Sequence, residues 1–354
     1  MHAAASRRRP PVTERAPVRG IDAGLAPLLA RLRMPGGLAG LAGLLAALVV
    51  VFGAAVPDFA SGGTLQSVMF QMPELGLLSL AMLLPLISGG LNLAIIATAN
   101  QAALLMAWLM RSWTPAGASG GTVALVIVAA MLAGLLLCVV IGLLTGALVA
   151  YTGVHPILVT LGTRSLLDGV SIFLTRGTII SGLPHQYAAV GNAVVLGVPV
   201  PFLVLIAAAL ACGLLLRRTA FGVAVFMVGS NIEATRYSAI DVRRVLVGVY
   251  LASSVLCFVA ACLMLARFNS ASAEYAQSYL LITILAAVLG GVDPFGGFGT
   301  VWGLMLALAI LQVLASGSNL LGMSDYLKLA IWGLVLIGVM AAQTLAQRMK
   351  RRGP

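Results

Sequence analysis

Residues 221–242 read F-G-V-A-V-F-M-V-G-S-N-I-E-A-T-R-Y-S-A-I-D-V. They form the longest mostly polar interruption in a chain otherwise built of apolar blocks, with Arg217 and Arg218 just before and Arg243 and Arg244 just after. Ser230-Asn231-Ile232-Glu233 has the form of a capping box: Ser230 can accept the backbone N–H of Glu233 while Glu233 reaches back to that of Ser230. The pattern predicts a short helix over residues 231–240. Such a helix is not stable alone in water, so it must dock on the rest of the protein or on a partner. Two readings fit the spacing: a solvated loop between two membrane helices, where arginines are expected on topological grounds, and a helix held at the cytoplasmic face for a soluble partner to grip.

Composition places the chain in a membrane. Of its 354 residues 61% are hydrophobic and 9% charged, with a mean hydropathy of +1.08, too few charges to cover a soluble surface. The net charge of +11 suggests nucleic acid, but the basic residues fall between apolar blocks, which argues against that partner. Cys138, Cys212, Cys257 and Cys262 lie within apolar runs, without zinc or redox spacing, and read as buried inert thiols.

Residues 1–35 carry seven arginines against Glu14 and Asp22 and lack an apolar run long enough for a signal peptide. They read as a basic cytoplasmic tail, either lying on anionic lipid or serving only to fix orientation. Residues 36–56 are long enough for one crossing. The uncharged block at 75–110 is too long for one span and short for two. It breaks at Ser88-Gly89-Gly90-Leu91-Asn92, so its first span starts near Thr64 and carries Gln66, Gln71, Pro73 and Glu74 to membrane depth. An acidic residue there faces a cavity or a partner, unless Glu74 sits at the interface. Further spans are expected over 121–150, 155–173, 190–216, 245–266, 279–292, 299–315 and 329–346, and Arg348, Lys350, Arg351 and Arg352 form a basic C-terminus at 348–354. The expectation is an all-α polytopic membrane protein of about ten transmembrane helices, with a membrane-spanning body over 36–347 and no soluble domain.

With ten spans both termini share one side. Placing the N-terminus inside gathers both basic ends, Arg164 and the arginines around 217–244 in the cytoplasm, and leaves Arg111, Arg176, Arg267 and Lys328 outside. That asymmetry predicts an N-in, C-in chain with the capping-box helix in the cytoplasm.

No catalytic constellation, metal pattern or phosphate loop is present, so if this chain serves an ATP-driven process the nucleotide sits on another polypeptide. Two glycine breaks stand out, Gly89-Gly90-Leu91-Asn92 and Gly290-Gly291-Val292-Asp293. Paired glycine frees the backbone from helical geometry, and transporters build solute paths from broken helices. They read either as the wall of a translocation path or as two tight loops. The Arg164 and Asp168 side chains, four apart, can pair on one helix face.

Several motifs, in order, resemble permease subunits of sugar-type ABC importers, the family of the ribose permease. Gly229-x-Asn231-x-Glu233-Ala234-x-Arg236-x-Ser238-x-Ile240 is similar to their cytoplasmic coupling motif, with Thr235 where a second Ala is common and Ala239 where Gly is common. Residues 88–94, S-G-G-L-N-L-A, resemble T-G-G-I-D-L-S, with Asn92 for Asp and Ala94 for Ser. Residues 156–163 resemble P-x-[IF]-[IV]-T-L-G-T, and 181–184 match S-G-L-P. Residues 286–291 and 296–301 resemble A-A-V-x-L-G-G and G-G-x-G-[ST]-V. The resemblance implies a transport subunit without catalysis or cofactor of its own. It also implies an ABC ATPase subunit docked on Gly229, Ser230, Asn231, Glu233, Ala234, Arg236, Ser238 and Ile240. A second permease subunit and an extracytoplasmic substrate-binding protein complete the implied assembly. Alternatives are a nucleoside or branched-chain amino acid permease, a secondary transporter, or a polytopic membrane enzyme.

Overall fold

The computed structural model describes residues 38–115 and 119–324 and, beyond these, 327, 328, 330, 332–334 and 337. The basic tails at 1–35 and 348–354 lie outside the described residues, as does most of the span expected at 329–346. In chain order the described helices are α1 (Leu38–Ala55), α2 (Gly62–Ile87), α3 (Ile95–Trp113), α4 (Gly120–Thr152), α5 (Pro156–Thr175), α6 (His185–Asn192), α7 (Val200–Arg218), α8 (Ala220–Ser230), α9 (Ile232–Tyr237), α10 (Val242–Phe268), α11 (Tyr279–Leu289) and α12 (Val301–Leu320). Among the described residues strands are confined to two-residue pieces: β1 (Ile180–Ser181) pairs with β4 (Ser270–Ala271), and β2 (Val194–Val195) with β3 (Val198–Pro199).

Seven helices, α1, α2, α4, α5, α7, α10 and α12, are long and apolar enough to cross a membrane. Helix α3 matches them in length, with 19 residues, but not in hydropathy. Leucines on α4 point outward, Leu125 at 73% exposure and Leu136 at 65%. On a soluble protein they would form a large apolar patch; here they are a lipid face.

The molecule is organised on α2 against α10. Every residue of α2 from Met72 to Ile87 is buried. Two prolines interrupt it, Pro73 and Pro85, and each removes an N–H from the helical ladder. The carbonyl that Pro85 orphans is that of Ala81, and Ser253 of α10 donates its hydroxyl to it at 2.7 Å. In the turn that Pro73 interrupts, Arg267 of α10 donates to the Phe70 carbonyl at 2.7 Å. Helix α10 thus repairs α2 at Pro85 and braces it beside Pro73. On its other side α10 meets α4 at Gly142 and Gly146, where an added Cβ would come within 3.0 Å of the Leu251 Cα and 2.9 Å of the Val247 Cα. This is small-residue packing of the kind that lets membrane helices approach closely.

Several expectations need correction. The cap of the short helix is Asn231, not Ser230: Ser230 is the last residue of α8, while Asn231 is extended (φ −163°) and accepts the Ala234 N–H at 3.0 Å. Glu233 turns to Arg236 at 2.9 Å instead of reaching back to Ser230. The helix is shorter than 231–240 because Ala239 adopts φ 60° and ends it. That left-handed position costs a non-glycine residue about 1–2 kcal/mol, which is the physical sense of a glycine there in the motif.

Residues 221–228 are not part of a polar loop but the apolar body of α8, with Gly222, Ala224, Val225 and Val228 buried. The span expected at 190–216 begins only at Val200. Residues 194–199 form a β-hairpin whose turn, Leu196-Gly197, has positive φ at both positions, and Pro199 and Pro201 open α7. The span expected at 279–292 is the 11-residue α11, about 16 Å long at 1.5 Å per residue and half a crossing.

Candidate functional site

Both glycine breaks end a helix in the same way. At the end of α2 the Gly90 N–H bonds the Pro85 carbonyl at 2.9 Å, and at the end of α11 the Val292 N–H bonds the Ala287 carbonyl at 3.0 Å. These are Schellman closures, with the left-handed glycine at Gly89 in one (φ 83°) and Gly291 in the other (φ 83°). The two breaks are therefore equivalent in a register one residue away from the one their spelling suggests. Gly90 and Gly290 are needed for space instead: an added Cβ would lie 2.9 Å from Tyr250 Oη and 2.7 Å from the Gly303 carbonyl carbon, respectively.

The polar residue after each break closes a turn. Asn92 is buried; its Oδ1 accepts the Ala94 N–H at 3.1 Å and its Nδ2 donates to Ser253 Oγ at 3.0 Å. Asp293 Oδ1 accepts the Phe295 N–H at 2.9 Å, and its backbone N–H bonds the Phe298 carbonyl at 3.0 Å.

The 221–242 segment and both breaks converge on one junction. The Gly297 N–H donates to the Ile87 carbonyl at 2.8 Å. Gly229, at the end of α8, fills the corner between them: a Cβ there would collide with the Ile87 carbonyl oxygen and lie 2.5 Å from the Gly297 nitrogen. A Cβ on Gly296 would lie 2.7 Å from the Gly89 Cα, and one on Gly297 3.0 Å from the Ser230 Cα. Backbone touches backbone, so the ends of α2 and α8 and the loop after α11 pack with no room for side chains between them. Helix α9 projects from this junction with Glu233, Ala234, Arg236 and Ser238 exposed and Tyr237 at 90% exposure, while Thr235 is buried and gives its hydroxyl to the Asn231 carbonyl at 2.7 Å. Ile240 packs partly buried against the core.

Residues 64–340 match the family described as branched-chain amino acid transport system / permease component. The chain belongs to that family. It is 30% identical over 278 residues to the autoinducer 2 import system permease protein LsrD of Salmonella typhi, an alignment covering 77% of this chain and 80% of that protein. To the protein of the same name from Escherichia coli O9:H4 (strain HS) it is 30% identical over 315 residues, 86% and 91% of the two chains. No solved structure matches. With its apolar helices this permease is a multi-pass protein of the cell membrane.

Glu74 is the predicted site residue that stands apart from the junction. It is 3% exposed and accepts from Arg267 Nη1 at 3.0 Å. Arg267, Ser253 and the Gly296-Gly297 pair were not legible as site residues. The signal that points to Ser253 is Pro85, since a proline inside an apolar helix demands a donor from somewhere else.

Proposed function

We propose that this permease is the membrane-spanning subunit of an ATP-driven ABC importer for a sugar-like solute. The observation that carries the reading is the glycine junction, which joins an exposed helix, α9, to the ends of α2 and the loop after α11 through backbone contact. The relatives' name, autoinducer 2 import system permease protein, supports an import role.

In this reading the chain is N-in and C-in with about ten crossings, one of them made jointly by the short α11 and the loop that follows it, and pairs with a second permease subunit. The ATPase subunit grips α9 through Glu233, Ala234, Arg236 and Ser238, with Gly229, Ser230, Asn231 and Ile240 anchoring it. ATP is bound and hydrolysed there, so the permease holds no cofactor. Closure of the ATPase pair pulls on α9. Asn231, the single extended residue between α8 and α9, passes the pull to Gly229 and so to Gly89, Gly90, Asn92, Gly290, Gly291 and Asp293, the residues assigned to the translocation path together with Glu74. An extracytoplasmic binding protein delivers the solute on the other side.

Ala234→Trp tests this. Ala234 is exposed and needed for no internal packing, so the variant should insert and melt as the unmodified chain does. In liposomes holding permease, ATPase and binding protein, solute-stimulated ATP hydrolysis should fall more than tenfold. Unchanged stimulation would show that the ATPase does not grip α9. A branched-chain amino acid cargo, which the family description names, is separated by screening the binding protein for thermal stabilisation by pentoses against leucine, isoleucine and valine.

A further inference from the structure

At the end of α10 remote from α9 lies a cavity of about 510 Å³, walled by Glu74, Phe268, Ser270, Tyr275, Ser278 and Tyr279. Helix α10 has 27 residues, about 40 Å at 1.5 Å per residue, so the cavity and α9 face opposite sides of the molecule. Its volume is in the range of small-molecule sites.

The wall is held rigidly. Asn100 of α3 donates to the carbonyls of Ala273 and Tyr275, both at 2.9 Å. Arg164, which lies mid-way along α5 and reaches this side instead of the cytoplasmic side where the charge asymmetry placed it, donates to Gln277 Oε1 at 2.7 Å. The loop between β4 and α11 is thereby pinned to two helices. The aromatic rings of Phe268 and Tyr275 meet edge to face at 5.5 Å.

The polar groups on the wall are unusual in what they leave open. Glu74 Oε1 takes the Arg267 guanidinium, and no described residue bonds Oε2. Glu74 lies on the cavity wall, where a solute hydroxyl can donate to the carboxylate oxygen that Arg267 leaves free. Ser270 Oγ bonds the Phe268 carbonyl at 3.1 Å and Tyr275 Oη at 2.8 Å. With Ser270 donating to the carbonyl, Tyr275 donates to Ser270 and keeps its lone pairs. The hydroxyls of Ser278 and Tyr279 have no hydrogen-bond partner among the described residues.

The cavity thus offers a carboxylate acceptor already neutralised by Arg267, free hydroxyls that can donate or accept, and an aromatic edge. A solute carboxylate would face Glu74, and an ammonium would compete with Arg267 for it. A neutral, hydroxyl-rich molecule meets neither conflict, and its C–H face can rest on Phe268. We propose that this cavity is the permease's own solute-receiving site and takes a neutral polyhydroxylated solute of monosaccharide size. The inference rests on the importer reading and adds the site and the solute's chemistry.

The test uses the full chain assembled with its ATPase and binding protein in liposomes, with the four native cysteines replaced and Ser278→Cys introduced. A small water-soluble thiol reagent should label Cys at 278. D-Ribose or D-galactose should slow labelling at least threefold, and L-leucine should leave it unchanged. Adding Tyr279→Phe and Glu74→Gln should abolish the protection. Ala276→Cys, on the same cavity, repeats the measurement should the first variant fail to assemble. No labelling at either position, protection by L-leucine alone, or labelling that neither sugar slows would each overturn the proposal. ATP hydrolysis stimulated by the binding protein is measured in the same liposomes. If it persists without protection, only the cavity assignment fails; if it is absent, the importer reading fails and takes this inference with it.

Discussion

Asn92 gives its amide hydrogen to Ser253 and receives the Ala94 N–H on its oxygen. Ser253 has one hydrogen, and that goes to the Ala81 carbonyl which Pro85 leaves without its usual partner. The chain of donors runs one way and has no slack. An ionised aspartate at 92 has nothing to give Ser253. If Ser253 turns its hydrogen to the carboxylate, Ala81 goes unpaired; if it does not, two acceptors face each other. Asn92→Asp should therefore destabilise the protein by about 1–3 kcal/mol, the cost of one unsatisfied buried group. Ser253→Ala, which strands both Asn92 and Ala81, should cost at least as much. The two changes together should cost less than their sum, because they break one network. Thermal unfolding in detergent reads all three, and an Asn92→Asp chain melting with the parent would show that the network has no such constraint. The asparagine, where the resembling family has aspartate, is thus matched to its own Ser253. Residue spelling displayed the departure, but the partner lies far along the chain and was not legible.

At the scale of elements, α8 decides how α9 is connected. It is an 11-residue apolar helix ending in Gly229-Ser230, and the short polar helix begins after one extended residue. Gly229→Ala should reduce stimulated ATP hydrolysis more than tenfold, because a Cβ cannot coexist with the Ile87 carbonyl. Gly213→Ala in α7, where a Cβ meets open space, should leave it unchanged. Equal activity of the two variants would remove the junction from the coupling route. The helix at 231–240 was legible because its cap and charges are local signals. Its starting point was not: Ser230 and Asn231 are both good caps, and only the end of α8 chooses between them. The apolar stretch at 221–228 is too short for periodicity to distinguish a buried half-helix from the flank of a span. The same ambiguity stretched α11 into a full crossing.

For the molecule as a whole, block lengths and charge placement made the membrane class legible, since a continuous apolar run of sufficient length has few other uses. They did not reveal the hairpin at 194–199 or the cavity. Each is built from contacts remote in sequence or from turn geometry inside an apolar run. The proposed orientation is checked with two exposed tips at opposite ends of α7. Leu196 is 99% exposed on the hairpin, and Tyr237 is 90% exposed at the end of α9. In a cysteine-free chain, Leu196→Cys should react with a membrane-impermeant maleimide in intact spheroplasts. Tyr237→Cys should react only in inside-out vesicles. The reverse pattern would turn the protein over and move α9 out of reach of ATP.

The bond from Gly297 to the Ile87 carbonyl sets an order of events during synthesis. Ile87 and Gly229 leave the ribosome well before Gly297 exists, so the end of α2 waits with an open carbonyl while α8 and α9 are already made. Neither 11-residue helix can be held in the bilayer by its own length. Their seating belongs to the last stage of maturation, after α11 has been translated. A chain released before residue 297 would keep its long helices in the bilayer and leave α9 tethered to nothing rigid. The loop after α11, the last piece of the junction to be made, is therefore the latch that separates an inserted polypeptide from one able to respond to a partner.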